Sequence, residues 1–149
     1  MTFPQVTVIA VDSAIAASLL APVHRMEFLA DSEIHMVQMI QKVQFGDGLS
    51  FNVAFALEED ESVIEKAVIS KMEQISKSIL PYTFTGKIHY KCLFGDEPKA
   101  DFCEYLKQVK CELVLIGSRQ KHGLFESSFA KYVVRHAPCS SFVLKPREI

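Results

Sequence analysis

The chain lacks most of what announces a chemistry. Its 16 Lys and Arg against 18 Asp and Glu leave a formal net charge of −2, and no basic run is long enough to reverse that balance. It therefore has no electrostatic footprint for DNA or RNA, and no nucleic-acid partner is expected. No apolar run is long enough to span a membrane. The opening "MTFPQVTVIAVDS" has no basic start ahead of a signal-peptide core, so no membrane association is expected and the expected compartment is the cytoplasm. Cys92, Cys103, Cys111 and Cys139 form no C-x-x-C pair, and the expectation is reduced, buried thiols. His24, His35, His89, His122 and His136 show no metal-ligand spacing with acids or cysteines, so no metal site is expected. The G-x-S-x-G elbow, H-E-x-x-H, the P-loop and the dinucleotide fingerprint are all missing. No catalytic residue can be nominated, and the chain is not expected to be an enzyme. Repeats and low-complexity segments are absent too.

What remains is ordinary globular composition, with 49% hydrophobic and 23% charged residues. A length of 149 residues suits one domain over 1–149 with a sizeable core.

"VTVIAVD", Val6 to Asp12, is a β-branched and apolar run of the kind that lies buried on both faces in a parallel sheet. Pro22 suits the first turn of a helix, which places the first helix near Ala21. A second strand is expected from Ile34 to about Gln41. "FGDGLSFNVAFAL" then reads as a loop, in which Phe45, Phe51 and Phe55 are candidates to cover a cleft. The segment after "EEDE" is the clearest helix. Ile64, Val68 and Met72, with Val63, Ala67, Ile75 and Ile79, make an apolar stripe at helical spacing, and Ser62-x-x-Glu65 reads as a capping box. "KIHYKCL" is a third strand, Pro98 to Lys110 a helix, and "ELVLIG" a short buried strand ending in Gly117. A helix from about Ser127 to His136 and a last strand, "SSFVLK", follow.

This alternation of strand and helix implies right-handed crossovers. The expected fold is α/β: a three-layer α/β/α sandwich with a five-stranded, mainly parallel sheet. Ligands in such sheets bind at the carboxyl ends of the strands, near the switch in strand order. The candidate ends are Asp12, the region after Gln41, and Gly117.

"ELVLIGSR" followed by "AKYVVRHAPCSSFVLKP", with "VIAVD" near the start and "LFGDEPKADFCEYLKQ" before the fourth strand, resembles the universal stress protein family. The element order covers essentially the whole chain, while the specific residue matches lie between Gly95 and Pro146. The resemblance implies the Rossmann-type, adenine nucleotide alpha-hydrolase-like version of the sandwich. It also implies a phosphate loop, because ATP-binding members carry G-x2-G-x9-G-[S/T] after the fourth strand. Glycines there let the backbone approach the phosphates, while N–H groups and a helix N-terminus face the anion. In this chain Gly117 matches the first glycine and Gln120 occupies the second position. Counting on by the motif reaches Ala130 and Lys131. Anchoring on "AKYVVRHAPC" instead puts Ser127 and Ser128 at the last two positions of a loop three residues shorter. Under either alignment two of three glycines are gone.

The resemblance thus implies a stress-response protein of the type that does not bind ATP, acting through protein partners of unknown identity. The alternative is an adenine-nucleotide-binding member, taking ATP or AMP as a switch or slow hydrolase. Its candidate site is Asp12, Gly117, Ser118, Arg119, Gln120, Ser127 and Ser128, with Lys121 and His122 adding charge. Asp12 serves either a ribose hydroxyl or the turn that follows it. The basic residues are equally those of a solvated surface turn. In this family the final strand pairs with its symmetry mate, so a homodimer through Phe142, Val143 and Leu144 is expected.

Overall fold

The β-branched run near the N-terminus forms the centre of the sheet. The computed structural model describes residues 3–11, 20–41, 61–117 and 128–145. Strand β1 spans Val6–Ala10, β2 Glu33–Gln41, β3 Ile88–Gly95, β4 Leu113–Gly117 and β5 Ser140–Leu144. Their order is β3-β2-β1-β4-β5, and all four pairings are parallel. Helices α1 (Glu61–Ile79), α2 (Pro98–Gln108) and α3 (Ser128–His136) complete the described elements, with two 3-10 turns at Ala21–Arg25 and Glu27–Leu29.

Strand alternation sorts the core into two layers. Ile9 and Val11 of the β1 segment, Ile34 and Met36 of β2, Leu115 of β4 and Leu144 of β5 face one side. There they pack with Met72, Ile75 and Ile79 of α1 and with Val23 and Leu29 of the 3-10 turns. Val8, Ala10, Val37, Val114 and Ile116 face the other side, against Phe102 and Leu106 of α2 and Ala130 and Val133 of α3. The two helical layers and the sheet make the expected sandwich. Among the described residues no helix is long and apolar enough to cross a membrane.

Four local expectations are revised. The helix expected near Ala21 is a pair of 3-10 turns. Pro22 sits in the first, and the backbone at Met26 (φ −89°, ψ 77°) breaks the run before it can lengthen, which is how short 3-10 pieces connect longer elements. Helix α1 already includes Ser62, so that serine lies in the first turn and not at the cap. Val63 and Ala67, expected in the apolar stripe, are exposed, and the buried face runs through Ile64, Met72, Ile75 and Ile79. Strand β3 continues through Phe94 and Gly95 because it stays in register with Ile40 and Gln41 of β2. Cys92, Cys103 and Cys111 are buried and Cys139 half-buried, all free thiols. Burial pushes the Cys92 thiol up to about 12, so it stays protonated and packs as a small apolar group.

Candidate functional site

Strand order changes direction between β1 and β4. From β1 the chain crosses to β2 on one side, and from β4 to β5 on the other. Ile9 stands opposite Leu115. The chain leaves β1 at Val11 and β4 after Gly117, at neighbouring strand ends, which is where such sheets open a crevice. The floor is apolar and rigid: Val11 is 3% and Ile116 1% exposed, and the Val11 N–H donates to the Val37 carbonyl at 2.8 Å. The structure therefore brings together the strands that carry two positions nominated from the sequence. Gly117 is the last residue of β4, opposite Leu144 of β5, and Asp12 follows Val11 directly. Ser128 begins α3. Asp12, Ser118, Arg119, Gln120, Lys121, His122 and Ser127 lie outside the described residues, as do Phe45, Phe51 and Phe55.

β5 is an edge strand, paired with β4 alone among the described residues. Of the three residues expected at a dimer contact, Phe142 is 43% exposed, Val143 is half-buried and Leu144 is in the core.

The histidines divide in a way that chain spacing did not foretell. The His24 Nδ1 meets the Leu80 carbonyl at 3.0 Å, and its ring packs edge-on against Tyr82, so it is satisfied structurally. His136 ends α3 against Tyr132, where the helix dipole favours it. His35 and His89 are directly paired across β2 and β3, and their rings stack with centroids 4.5 Å apart at 22°. Glu33, two residues before His35 on the same face, brings Oε2 to 2.8 Å from the His35 Nε2 and 3.3 Å from the His89 Nε2. On the far side of the His35 ring, Nδ1 lies 2.9 Å from the Tyr105 hydroxyl on α2.

This cluster sits at the amino ends of β2 and β3, at the opposite end of the sheet from the crevice. The hydrogen bond from His35, helped by the Lys87 ammonium and by either imidazole when it carries a second proton, holds the Glu33 carboxyl below its ordinary range. Burial lowers the pKa of the His35 imidazole and so favours the neutral ring, which donates from Nε2 to Glu33 and accepts at Nδ1 from Tyr105. The local signal was Glu33-x-His35, an i, i+2 pair on one strand face. Its third member comes from the neighbouring strand and is invisible without the register.

Comparison with known proteins agrees with this architecture. The model of the universal stress protein family matches residues 31–145. Comparison with curated proteins found no significant match. Among solved structures, the chain is similar to the universal stress protein UspA from Lactobacillus plantarum, at 17% identity, TM-score 0.64, and coverage of 94% of this chain and 97% of that one. It is similar to the universal stress protein from Archaeoglobus fulgidus in complex with dAMP, at 21% identity and TM-score 0.57, covering 97% and 100% of the two chains. A universal stress protein family member from Arabidopsis thaliana with AMP bound is 12% identical, with TM-score 0.58 and coverage of 97% and 93%.

Proposed function

We propose that this chain, which belongs to the universal stress protein family, is a cytoplasmic, non-enzymatic stress-response protein that does not hold ATP and acts as a homodimer through protein contacts. The observation that carries this reading is the loop after β4. Gly117 ends the strand where phosphates would approach, but Gln120 and Ser127 stand where the ATP-binding pattern has its other two glycines, and the loop is three residues shorter than that pattern. A side chain at the tight position keeps the backbone N–H groups from closing on a triphosphate. Isothermal titration with Mg-ATP is expected to give no binding heat. A saturable one-to-one isotherm would overturn the reading.

The dimer is supported by the edge position of β5 and by exposed Phe142. An unpaired edge is a template for another strand, and two copies of β5 related by a two-fold axis bury both edges at once. Phe142 supplies apolar area at that seam, while Leu144, held in the core, keeps the strand in place. Light scattering after size exclusion should give a dimer mass for the wild-type chain and a monomer for Phe142→Asp. A monomeric wild-type chain at micromolar concentration would remove the dimer from the account.

The dAMP and AMP complexes of the structural relatives favour a second reading, in which the crevice takes a nucleoside monophosphate as a switch, or ATP for slow hydrolysis. One phosphate needs only a helix N-terminus and a few donors, and Ser127, Ser128 and the basic trio Arg119, Lys121 and His122 are suited to that. Binding of AMP without binding of ATP would favour it.

A further inference from the structure

The polar cluster at the amino ends of β2 and β3 lies outside the crevice, and its chemistry is of a different kind. We propose that Glu33, His35 and His89 form a binding site for a divalent transition-metal ion of the zinc class. One ligand atom from each residue lies within 4.8 Å of the other two. Four-coordinate zinc with bonds of roughly 2.0–2.1 Å needs neighbouring ligands about 3.3 Å apart. The His89 Nε2 to Glu33 Oε2 distance is 3.3 Å and the His35 Nε2 to Glu33 Oε2 distance is 2.8 Å, so a small opening of the carboxylate makes room for the ion.

Two imidazoles with one carboxylate suit zinc and its neighbours, whereas magnesium and calcium want oxygen ligands. Three protein ligands leave one position open. The side chains of Glu33 and His89 are 42% and 48% exposed, so water completes the shell and the ion has a path in.

Tyr105 gives the site the outer partner that a metal-bound histidine requires. Without metal, the Tyr105 hydroxyl donates to the His35 Nδ1 while Nε2–H donates to Glu33. With metal, the Nε2 lone pair goes to the ion, and the proton sits on Nδ1, donating to the same hydroxyl oxygen. A hydroxyl rotor serves both tautomers without moving a heavy atom. The frame is already set. His35 and His89 are held opposite each other by strand register, and the Glu33 N–H donates to the Gln5 carbonyl at 2.8 Å, so the backbone needs no rearrangement. The exposed His89 ring, stacked on His35 at 22°, turns about its side-chain torsions so that both Nε2 lone pairs converge on the ion. The resulting site ties β2 and β3 to each other and, through Tyr105, to α2.

The test uses the full chain, untagged and stripped of metal by chelator, with Zn²⁺ added in calorimetry and in thermal unfolding. Binding is expected at one site per chain, with the midpoint rising by roughly 5–10 °C when zinc is about a hundred times its dissociation constant. Co²⁺ in place of zinc should give the intense visible bands of a four-coordinate centre. His89→Ala, at an exposed position, and Glu33→Gln, a near-isosteric change at a half-buried one, should fold by circular dichroism and abolish the one-site isotherm. Tyr105→Phe should weaken it about 10-fold, and His136→Ala should leave it unchanged. Absence of saturable zinc binding, or equal binding by wild type and His89→Ala, would overturn the proposal.

Discussion

The residues nominated for the carboxyl ends of β1 and β4, Asp12 apart, follow one another along the chain, from Gly117 to Ser128. At the amino ends of β2 and β3 they come from three elements, and His35 meets Tyr105 across 70 residues of sequence. The first end is a motif and is recognised, or found broken, by counting. The second is a product of register, in which alternation puts Glu33 and His35 on one face and pairing sets His89 beside them. A departure from a motif thus shows at once in the sequence, while a cluster made by strand pairing becomes visible only once the strands are placed.

The sharpest way to break the comparison is to disturb what fixes that register. Gly86 precedes β3, and a Cβ built there would lie 2.2 Å from the Ser32 carbonyl oxygen, just before β2. Backbone must move to admit it. Gly86→Ala is expected to destabilise the fold by roughly 2–3 kcal/mol, read as a lower urea midpoint with an unchanged slope. A loss below about 0.5 kcal/mol would mean that the amino ends of β2 and β3 are not rigidly set.

A smaller loss is expected from Tyr105→Phe. The substitution removes one hydroxyl and leaves the buried His35 Nδ1 without its 2.9 Å partner. A buried polar atom left unpaired costs about 1–2 kcal/mol, again measurable by urea unfolding, and no loss would show that the hydroxyl does not hold the ring.

The smallest effect has the opposite sign. Lys110 follows α2 with φ 56°, its N–H meeting the Lys107 carbonyl while the Cys111 N–H meets that of Leu106. This is the Schellman pattern, which favours glycine at the left-handed position. Lys110→Gly should stabilise by about 0.5–1 kcal/mol, seen as a rise of roughly 1–4 °C in the unfolding midpoint.

The fold was legible to a large degree because the run Val6 to Ala10, the stripe of α1 and the segment from Gly95 to Pro146 each carry one strong pattern. Ala21 to Leu29 was less so, since Pro22 marks a first turn but not how soon the helix stops, and the break at Met26 is a matter of backbone angles. Val63 was misplaced for a related reason. It lies one residue from Ile64 on the helix, and only the packing of α1 on β3 and the 3-10 turns decides which of the two faces inward. At the crevice, Gly117 and Asp12 could be nominated because strand ends are marked in sequence. That β1 and β4, the strands leading to these positions, are neighbours in the sheet is something the chain order alone does not state.

The most direct test of the proposed function is a thermal unfolding scan of the full chain with millimolar Mg-ATP, ADP and AMP in parallel. The account predicts an unchanged midpoint with ATP. A ligand at about a hundred times its dissociation constant adds about 2.7 kcal/mol, or roughly 5–10 °C for a chain of this size, and a rise of that size with Mg-ATP would contradict it.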